Sequence, residues 1–380
     1  QNEEMMSAYN TQAKENNYMI TPSLMYMKTV RKNDVIFALL TYDHTYANTW
    51  YKIDGQLSED YQTKGEGMLT LGYALRLKDK LKMTVQWADQ LTYIDNKKES
   101  SLQHFFRPGL FVTYMINKNN SIRFTTSLES GDLGLQYRSL TEQRIDKYQI
   151  RRGNPDVKTL KFYLMSLTYS LNTSFFNFAY NTSFDVTTDV PYERVSYDGN
   201  RNLFVHDYAV GGAGYDFETG PRIRWKVIPG KLTFDLAGYY AKRSLYAWKK
   251  LDVNSFRASA KLLFLYKNIM ASGEIVSSQK NFNDVGFSYR TPLTYHFNIG
   301  YNLNNWYFEL GTRNPFSTFV ERREYVSDIY SSYSRNYAPK INDHVFYMNV
   351  SYRFNWGKKH TFNQIEMEKT KKSAILKANE

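Results

Sequence analysis

The sequence predicts an all-β chain, an antiparallel transmembrane β-barrel with about 14 to 16 strands, and three observations carry that expectation. Apolar and polar residues alternate with a period of two along most of the chain. Short turn-forming segments alternate with long polar ones. Large aromatic rings abound in a chain that is hydrophilic on average: of 380 residues 17% are aromatic, with 33 Tyr and 24 Phe, yet the mean hydropathy is -0.58. A wall with one face in lipid and the other in water reconciles these two facts. No stretch reaches the roughly eighteen consecutive apolar residues that a spanning helix requires, so any crossing is made by strands.

The alternation is clearest near the C-terminus. From His344 to Trp356 the even positions hold Phe346, Met348, Val350, Tyr352, Phe354 and Trp356, and the odd ones include Asn349, Ser351, Arg353 and Asn355. A two-residue period sustained for about 13 residues is long enough to cross a bilayer in a tilted strand. In the same way Tyr295, Phe297, Ile299, Tyr301 and Leu303 oppose His296, Asn298, Gly300 and Asn302, and Trp306, Phe308 and Leu310 oppose Tyr307, Glu309 and Gly311. Earlier, Leu69, Leu71, Tyr73, Leu75 and Leu77 oppose Thr70, Gly72, Ala74 and Arg76, while Ile122, Phe124 and Leu128 oppose Arg123, Thr125 and Ser127. The apolar set must face lipid, because Arg or Lys at the bilayer midplane costs about 2 to 4 kcal/mol. The polar set then lines a wet lumen.

The connections follow suit. Short ones at 31–34, 78–80, 117–120, 172–173, 229–230, 267–268 and 304–305 carry the Asn, Asp, Gly or Pro chemistry of tight turns. Longer polar stretches lie near 44–66, 93–107, 133–158, 189–202, 244–253, 280–291 and 313–342. Short turns on the periplasmic side and long loops outside are the arrangement expected of an outer-membrane barrel. Residues 203–228, interrupted by Gly211, Gly212, Gly214 and Gly220, are expected as one long descending strand with bulges. The expected organisation is a polar loop at 1–17, barrel strands over 18–356, and a basic periplasmic tail at 357–380 rich in Lys358, Lys359, Lys369, Lys371 and Lys372. The strand count comes to roughly fifteen with an external first strand, whereas single-chain bacterial barrels close with an even number. The chain also opens Gln1-Asn2-Glu3-Glu4, with no initiator Met and no apolar leader. Two expectations follow: a signal peptide has been removed, or the chain is the C-terminal portion of a larger barrel.

Cysteine is absent, which excludes thiol nucleophiles, disulfides and Cys-based metal sites. The six His show no paired spacing, so neither a metal centre nor a cofactor is expected. No catalytic centre is expected either: Gly-x-Ser-x-Gly and phosphate-loop motifs are missing, and the neighbours Asp43-His44 and Asp343-His344 would point to opposite faces of a strand. The net charge of +12 is spread through strands, loops and tail without a dense stripe, so nucleic acid is not an expected partner. The candidates for ligand contact lie in the long segment before the last strand: Tyr325, Tyr330, Tyr333 and Tyr337 accompanied by Arg322, Arg323 and Arg335. Tyr rings at a barrel mouth can stack on sugars or meet cations, and Arg can hold carboxylates or phosphates. The plainer alternative is that these rings form an interfacial girdle or pack loop against loop.

Two segments carry a family resemblance. Arg152-Gly153-Asn154-Pro155-Asp156-Val157-Lys158 resembles the Gly-Asn-Pro-x-Leu-Lys-Pro-Glu segment that precedes a barrel strand in TonB-dependent outer-membrane receptors, with Thr159 and Leu160 standing where that family has Pro and Glu. The ending Val350-Ser351-Tyr352-Arg353-Phe354-Asn355-Trp356-Gly357-Lys358 is similar to the closing strand of the same receptors, in which aromatics such as Tyr352, Phe354 and Trp356 serve as a barrel-insertion signal. Arg313-Asn314-Pro315-Phe316 also resembles a late segment of the nutrient-receptor branch. The resemblance implies a 22-strand barrel around an N-terminal plug, energised through a TonB box and importing chelated iron, vitamins, glycans or peptides recognised by extracellular loops. Its implied partners are outer-membrane lipid, the barrel-assembly machinery, the TonB complex acting through a plug absent from these residues, and a surface lipoprotein. The rival expectations are a passive porin or a structural barrel subunit of an envelope complex, then an outer-membrane hydrolase, and last a soluble β-rich binding module.

Overall fold

The computed structural model describes residues 11–31, 33–53, 56–96, 100–131, 133–246, 250–282, 287–316, 320–326, 331–337 and 344–354. Nearly all of them are in antiparallel strands. β1 (Thr11–Ile20) and β2 (Ser23–Arg31) pair with the two halves of β3 (Asp34–Ile53) in a single register, Ile20 with His44 and Ser23 with Thr41. Pro22 sits at the break, where its missing N–H can be spared, and its carbonyl accepts from the Tyr42 amide at 3.1 Å. Hairpins then lead through β4 (Gln56–Leu77), β5 (Leu81–Asn96), β6 (Ser100–Met115) and β7 (Asn120–Gly131). After an insert that contains β8 (Gln143–Asp146) and β9 (Gln149–Arg151), the ladder resumes with β10 (Leu160–Asn172) paired to β7. It continues through β11 (Phe176–Asp198), β12 (Leu203–Ile228), β13 (Leu232–Tyr246), β14 (Lys250–Tyr266) and β15 (Ile269–Val276). The last part of the chain forms β16 (Gln279–Phe282), β17 (Phe287–Thr291), β18 (Thr294–Leu303), β19 (Trp306–Arg313), β20 (Val320–Val326), β21 (Ser331–Tyr337) and β22 (Val345–Tyr352).

The main ladder runs from β1–β2 through β15, β18 and β19 to β22, and β16, β17, β20 and β21 form a separate four-stranded sheet at the long-hairpin end. Counting β1 with β2, β15 with β16, β17 with β18, β19 with β20 and β21 with β22 as interrupted strands, and leaving out β8 and β9, the wall has fifteen strands among the described residues.

The expected alternation sets the two faces. Phe346 and Met348 are 76% and 72% exposed on the apolar face, as are Leu167, Phe297, Ile299 and Leu310 at lower values. The other face carries hydrogen-bonded polar pairs. Thr125 and Ser166 hydroxyls meet at 2.7 Å, Thr168 donates to Asn181 at 2.7 Å, and Arg224 grips both oxygens of Asp235 at 2.7 and 3.0 Å. Gly72 and Gly311 lie on this polar face, where a Cβ would collide with the cross-strand rings of Phe37 and Tyr347. β12 is one long strand of 26 residues whose pairing with β11 shifts register around Val190, which faces Gly212; the neighbouring Gly211 has φ +96°, in the left-handed region.

Two expectations need correction. The first strand begins at Thr11, so residues 11–17, expected as a loop, form ladder pairs with Ala47 to Ile53. Likewise 44–53 and 56–66 are strand, as are most of 93–107, 189–198 and 250–253. Once a hairpin leaves the membrane both of its faces meet water, the apolar–polar alternation disappears, and the backbone ladder continues without it. The tail at 357–380 lies outside the described residues.

Candidate ligand site at the mouth of the wall

Lipid on one side and water on the other leave the wall little protein core. The buried residues gather instead where the insert 133–159 folds against the polar face near the long-hairpin end. Leu135, in a 3₁₀ turn spanning Leu135–Tyr137, packs on Ala47 of β3, and Ile150 of β9 packs on Leu203 and Val205 of β12. β9 runs parallel to β12, pairing Gln149 with Phe204 and Arg151 with His206. Polar contacts fix the rest. The Ser139 hydroxyl and the Leu140 amide donate to Asp60 Oδ2 at 2.7 and 3.2 Å, and the Gln62 amide donates to the same oxygen at 3.3 Å. The Arg144 amide donates to the Tyr51 hydroxyl at 3.0 Å. Asp60, Gln62 and Tyr51 are all buried, and their strand parity places them on the inward side.

Gly153, Asn154 and Pro155 form the hinge by which the insert returns to the wall. A Cβ at Gly153 would lie 2.5 Å from the Ser139 nitrogen and 2.6 Å from its oxygen, so only glycine admits this backbone approach. The Asn154 side chain donates to the Tyr208 carbonyl at 2.6 Å and accepts from the Asp156 amide at 3.0 Å, pinning the turn to β12. His206 is buried between Glu193 and Gln149, each 2.8 Å from one ring nitrogen. Beyond the membrane-spanning part, Arg201 at the β11–β12 tip donates to Asp198 at 2.7 Å and to Glu142 of the insert at 2.8 Å. The Arg201 guanidinium holds the Asp198 carboxyl below its usual range. Burial pushes the Tyr208 hydroxyl up from its ordinary value.

On the other side of the mouth Glu274, Thr294, His296, Arg313 and Asn314 line a cavity of about 350 Å³. His296 is directly opposite Glu274 on β15 and Arg313 on β19. His344 falls in the bend before β22 and not on a strand, and its Nδ1 faces the Pro315 carbonyl at 3.0 Å. Asp43 and His44 sit on β3 as expected of strand neighbours, with His44 turned to the apolar side beside the rings of Tyr18 and Tyr42.

Arg322, Arg323 and Tyr325 are on β20 and Tyr333 on β21, with Arg323 opposite Ser334 and Tyr325 opposite Ser332. Tyr330 lies outside the described residues, as does Trp356. Tyr352 and Phe354 are at the opposite end, where their rings meet edge-on at 4.6 Å. Among the described residues no three His, Asp or Glu side chains converge as a metal-binding set. Sequence reasoning missed the insert; its only advance signals were the apolar Leu133, Leu135 and Leu140 and the close-approach Gly153 in a stretch that otherwise looks like loop.

No family model and no curated protein matches the chain. Solved structures do. The copper transporter OprC aligns with a TM-score of 0.63 at 9% identity, covering 82% of this chain and 52% of that one. The ferric citrate transporter FecA in its unliganded form gives 0.61 at 12%, covering 91% and 56%. BauA, the ferric preacinetobactin receptor from Acinetobacter baumannii, gives 0.59 at 12%, covering 90% and 54%. The chain thus spans about half the length of the structures it matches. Its fold is that of the β-barrel wall of outer-membrane TonB-dependent receptors.

Proposed function

We propose that the chain forms the barrel wall of an outer-membrane uptake receptor of the TonB-dependent type, which takes up a nutrient such as a siderophore, glycan, vitamin or peptide. The reading is carried by one observation: ordered polar structure is concentrated at one end of the polar face, where the insert and the Glu274–His296–Arg313 cavity face whatever enters. It is supported by the likeness of the fold to transporters of copper and iron. In this reading the long hairpins are extracellular and the short turns periplasmic. Arg322, Arg323, Tyr325, Tyr330 and Tyr333 of the β20–β21 hairpin supply ligand contacts, and energy comes from the TonB complex through a plug contributed by other residues.

The test is uptake by cells with and without the intact gene, using a panel of labelled ferric chelates, cobalamin, oligosaccharides and peptides, each repeated with an uncoupler of the inner membrane. The proposal expects one class to lose uncoupler-sensitive uptake when the gene is deleted. Uptake that survives the uncoupler and never saturates supports the passive porin. No change for any class sinks the transport reading.

A further inference from the structure

Lys231, in the turn between β12 and β13, and Lys267, in the turn between β14 and β15, reach the same aromatic ring. Their Nζ atoms lie 5.6 and 5.5 Å from the centre of Tyr266. The two turns are neighbours because β13 pairs with β14 down to Leu232 and Phe264, and the Leu265 amide donates to the Lys231 carbonyl at 2.6 Å. Cation–π attraction favours each ammonium at the ring, whereas two like charges gathered on one ring repel each other. An anion between them removes the repulsion and keeps the attraction.

The strands that meet here carry no acid to serve as that anion. Residues 225–234 and 262–273 include Lys226, Lys231 and Lys267 but no Asp or Glu. The next acid along β13, Asp235, is held through both oxygens by Arg224 on the polar face. Another lysine turn at the same end is built differently: Asp79 stands between Lys78 and Lys80 and accepts from Arg76 at 3.1 Å.

Register fixes the side on which Tyr266 lies. Asp235 faces inward with Arg224 and pairs with Lys261, so on β14 Leu262, Phe264 and Tyr266 take the opposite, lipid-facing side. The rings of Phe264 and Tyr266 stack with centroids 6.5 Å apart, as neighbours two residues apart on one face can. Tyr266 pairs with Ile269 and Ile269 with Tyr301, and all three are exposed, so an apolar row continues from β14 to β18. The two ammonium groups therefore stand at the end of a lipid-facing strip. A free anion would meet the charges alone, whereas a lipid meets the charges and the strip.

We infer that Lys231, Tyr266 and Lys267 bind the phosphate of an anionic glycerophospholipid whose acyl chains lie along Phe264, Ile269 and Tyr301. Its placement in the periplasmic leaflet rests on the reading above that the short turns are periplasmic; the binding itself does not.

The experiment is native mass spectrometry of the purified protein in a neutral detergent, titrated with dioleoyl phosphatidylglycerol. A parallel titration uses dioleoyl phosphatidylcholine, which has the same chains and a phosphate but no net charge. The expected result is tighter binding of phosphatidylglycerol, weakened about tenfold in Lys231→Gln/Lys267→Gln with phosphatidylcholine unaffected. Lys231→Arg/Lys267→Arg should keep the preference. Lys78→Gln/Lys80→Gln, which removes the same charge from the same end, should bind phosphatidylglycerol within about twofold of the parent. Inorganic phosphate in excess should not displace the lipid. The inference is overturned if the two lipids bind equally or if the Lys231/Lys267 glutamine variant stays within about threefold of the parent. An equal loss in Lys78→Gln/Lys80→Gln also overturns it, because the attraction is then diffuse, and displacement by inorganic phosphate makes this a site for free anions. Absence of the lipid preference in a protein that still supports uptake overturns this inference alone. A lysine-dependent preference in a protein without gene-dependent uptake leaves it standing and removes the transport reading.

Discussion

Asp60→Ala tests whether the insert is a docked part of the wall. Asp60 is 2% exposed, and its Oδ2 accepts from the Ser139 hydroxyl, the Leu140 amide and the Gln62 amide. Truncation leaves two buried donors and the half-buried Leu140 amide without that acceptor. The Ser139 hydroxyl can rotate and Gln62 can reorient, but the Leu140 N–H is fixed. At about 1 to 3 kcal/mol for each donor left unmet, the net loss is roughly 2 to 4 kcal/mol. The loss falls on insert docking and not on the ladder, since the β3–β4 register around Asp60 is made by backbone. An opening equilibrium weakened by about 3 kcal/mol rises roughly 10²-fold. Trypsin reads it directly, because Arg138, Arg144, Lys147, Arg151 and Arg152 all lie in the insert. The expected result is cleavage within 138–152 about two orders of magnitude faster in Asp60→Ala, with the remaining wall resistant and its melting temperature little changed. Cleavage at the parental rate would refute the docking argument. Collapse of the whole wall together with the insert would refute the claim that the two are energetically separate.

Three further predictions use the same preparation. Gly153→Ala forces a Cβ against the Ser139 backbone and should cost about 1 to 3 kcal/mol of insert docking, seen as faster amide exchange at 135–154. Leu167→Lys puts a cation on the lipid face and should destabilise the folded barrel by about 2 to 4 kcal/mol in a bilayer, while Thr168→Lys, one residue on and facing inward, should cost less than half as much in equilibrium unfolding. The Asp198 carboxyl is held below its usual range by Arg201, so the ordering it gives the β11–β12 tip is present at neutral pH and is lost as pH falls through the lowered value. Its reporters are the amides of Asn200 and Arg201, which donate to Asp198 at 3.1 and 3.3 Å; their exchange should quicken only in strong acid, after correction for the intrinsic rate.

The parts of the fold that were legible in the sequence are those where solvent differs on the two sides of a strand. Phe346 to Phe354, Tyr295 to Leu303 and Leu69 to Leu77 all fall on the apolar and polar faces their alternation indicates, because burial in lipid selects for it. The turns were legible for a local reason: Asn304 and Lys267 adopt positive φ in the two-residue connections that the sequence marks. Above the membrane both cues fail. Thr11 to Asn17 and Thr45 to Ile53 form a long ribbon with mixed side chains on both faces, and only backbone pairing holds them as strands. The insert was illegible for a different reason. Its stability comes from contacts as distant in sequence as Ser139 with Asp60 and Asn154 with Tyr208, which leave no periodic trace.

The central claim is that a wall with one lipid face and one wet face carries the site, and the absence of native Cys makes it directly measurable. Single Cys residues placed in turn at 163–168 and at 296–301 would be spin-labelled in the reconstituted protein, and collision rates with oxygen and with a water-soluble nickel chelate compared. The account predicts oxygen-dominated collisions at 163, 165, 167, 297, 299 and 301, and nickel-dominated ones at 164, 166, 168, 296, 298 and 300. Uniform accessibility along either segment, or the opposite phase, would contradict it.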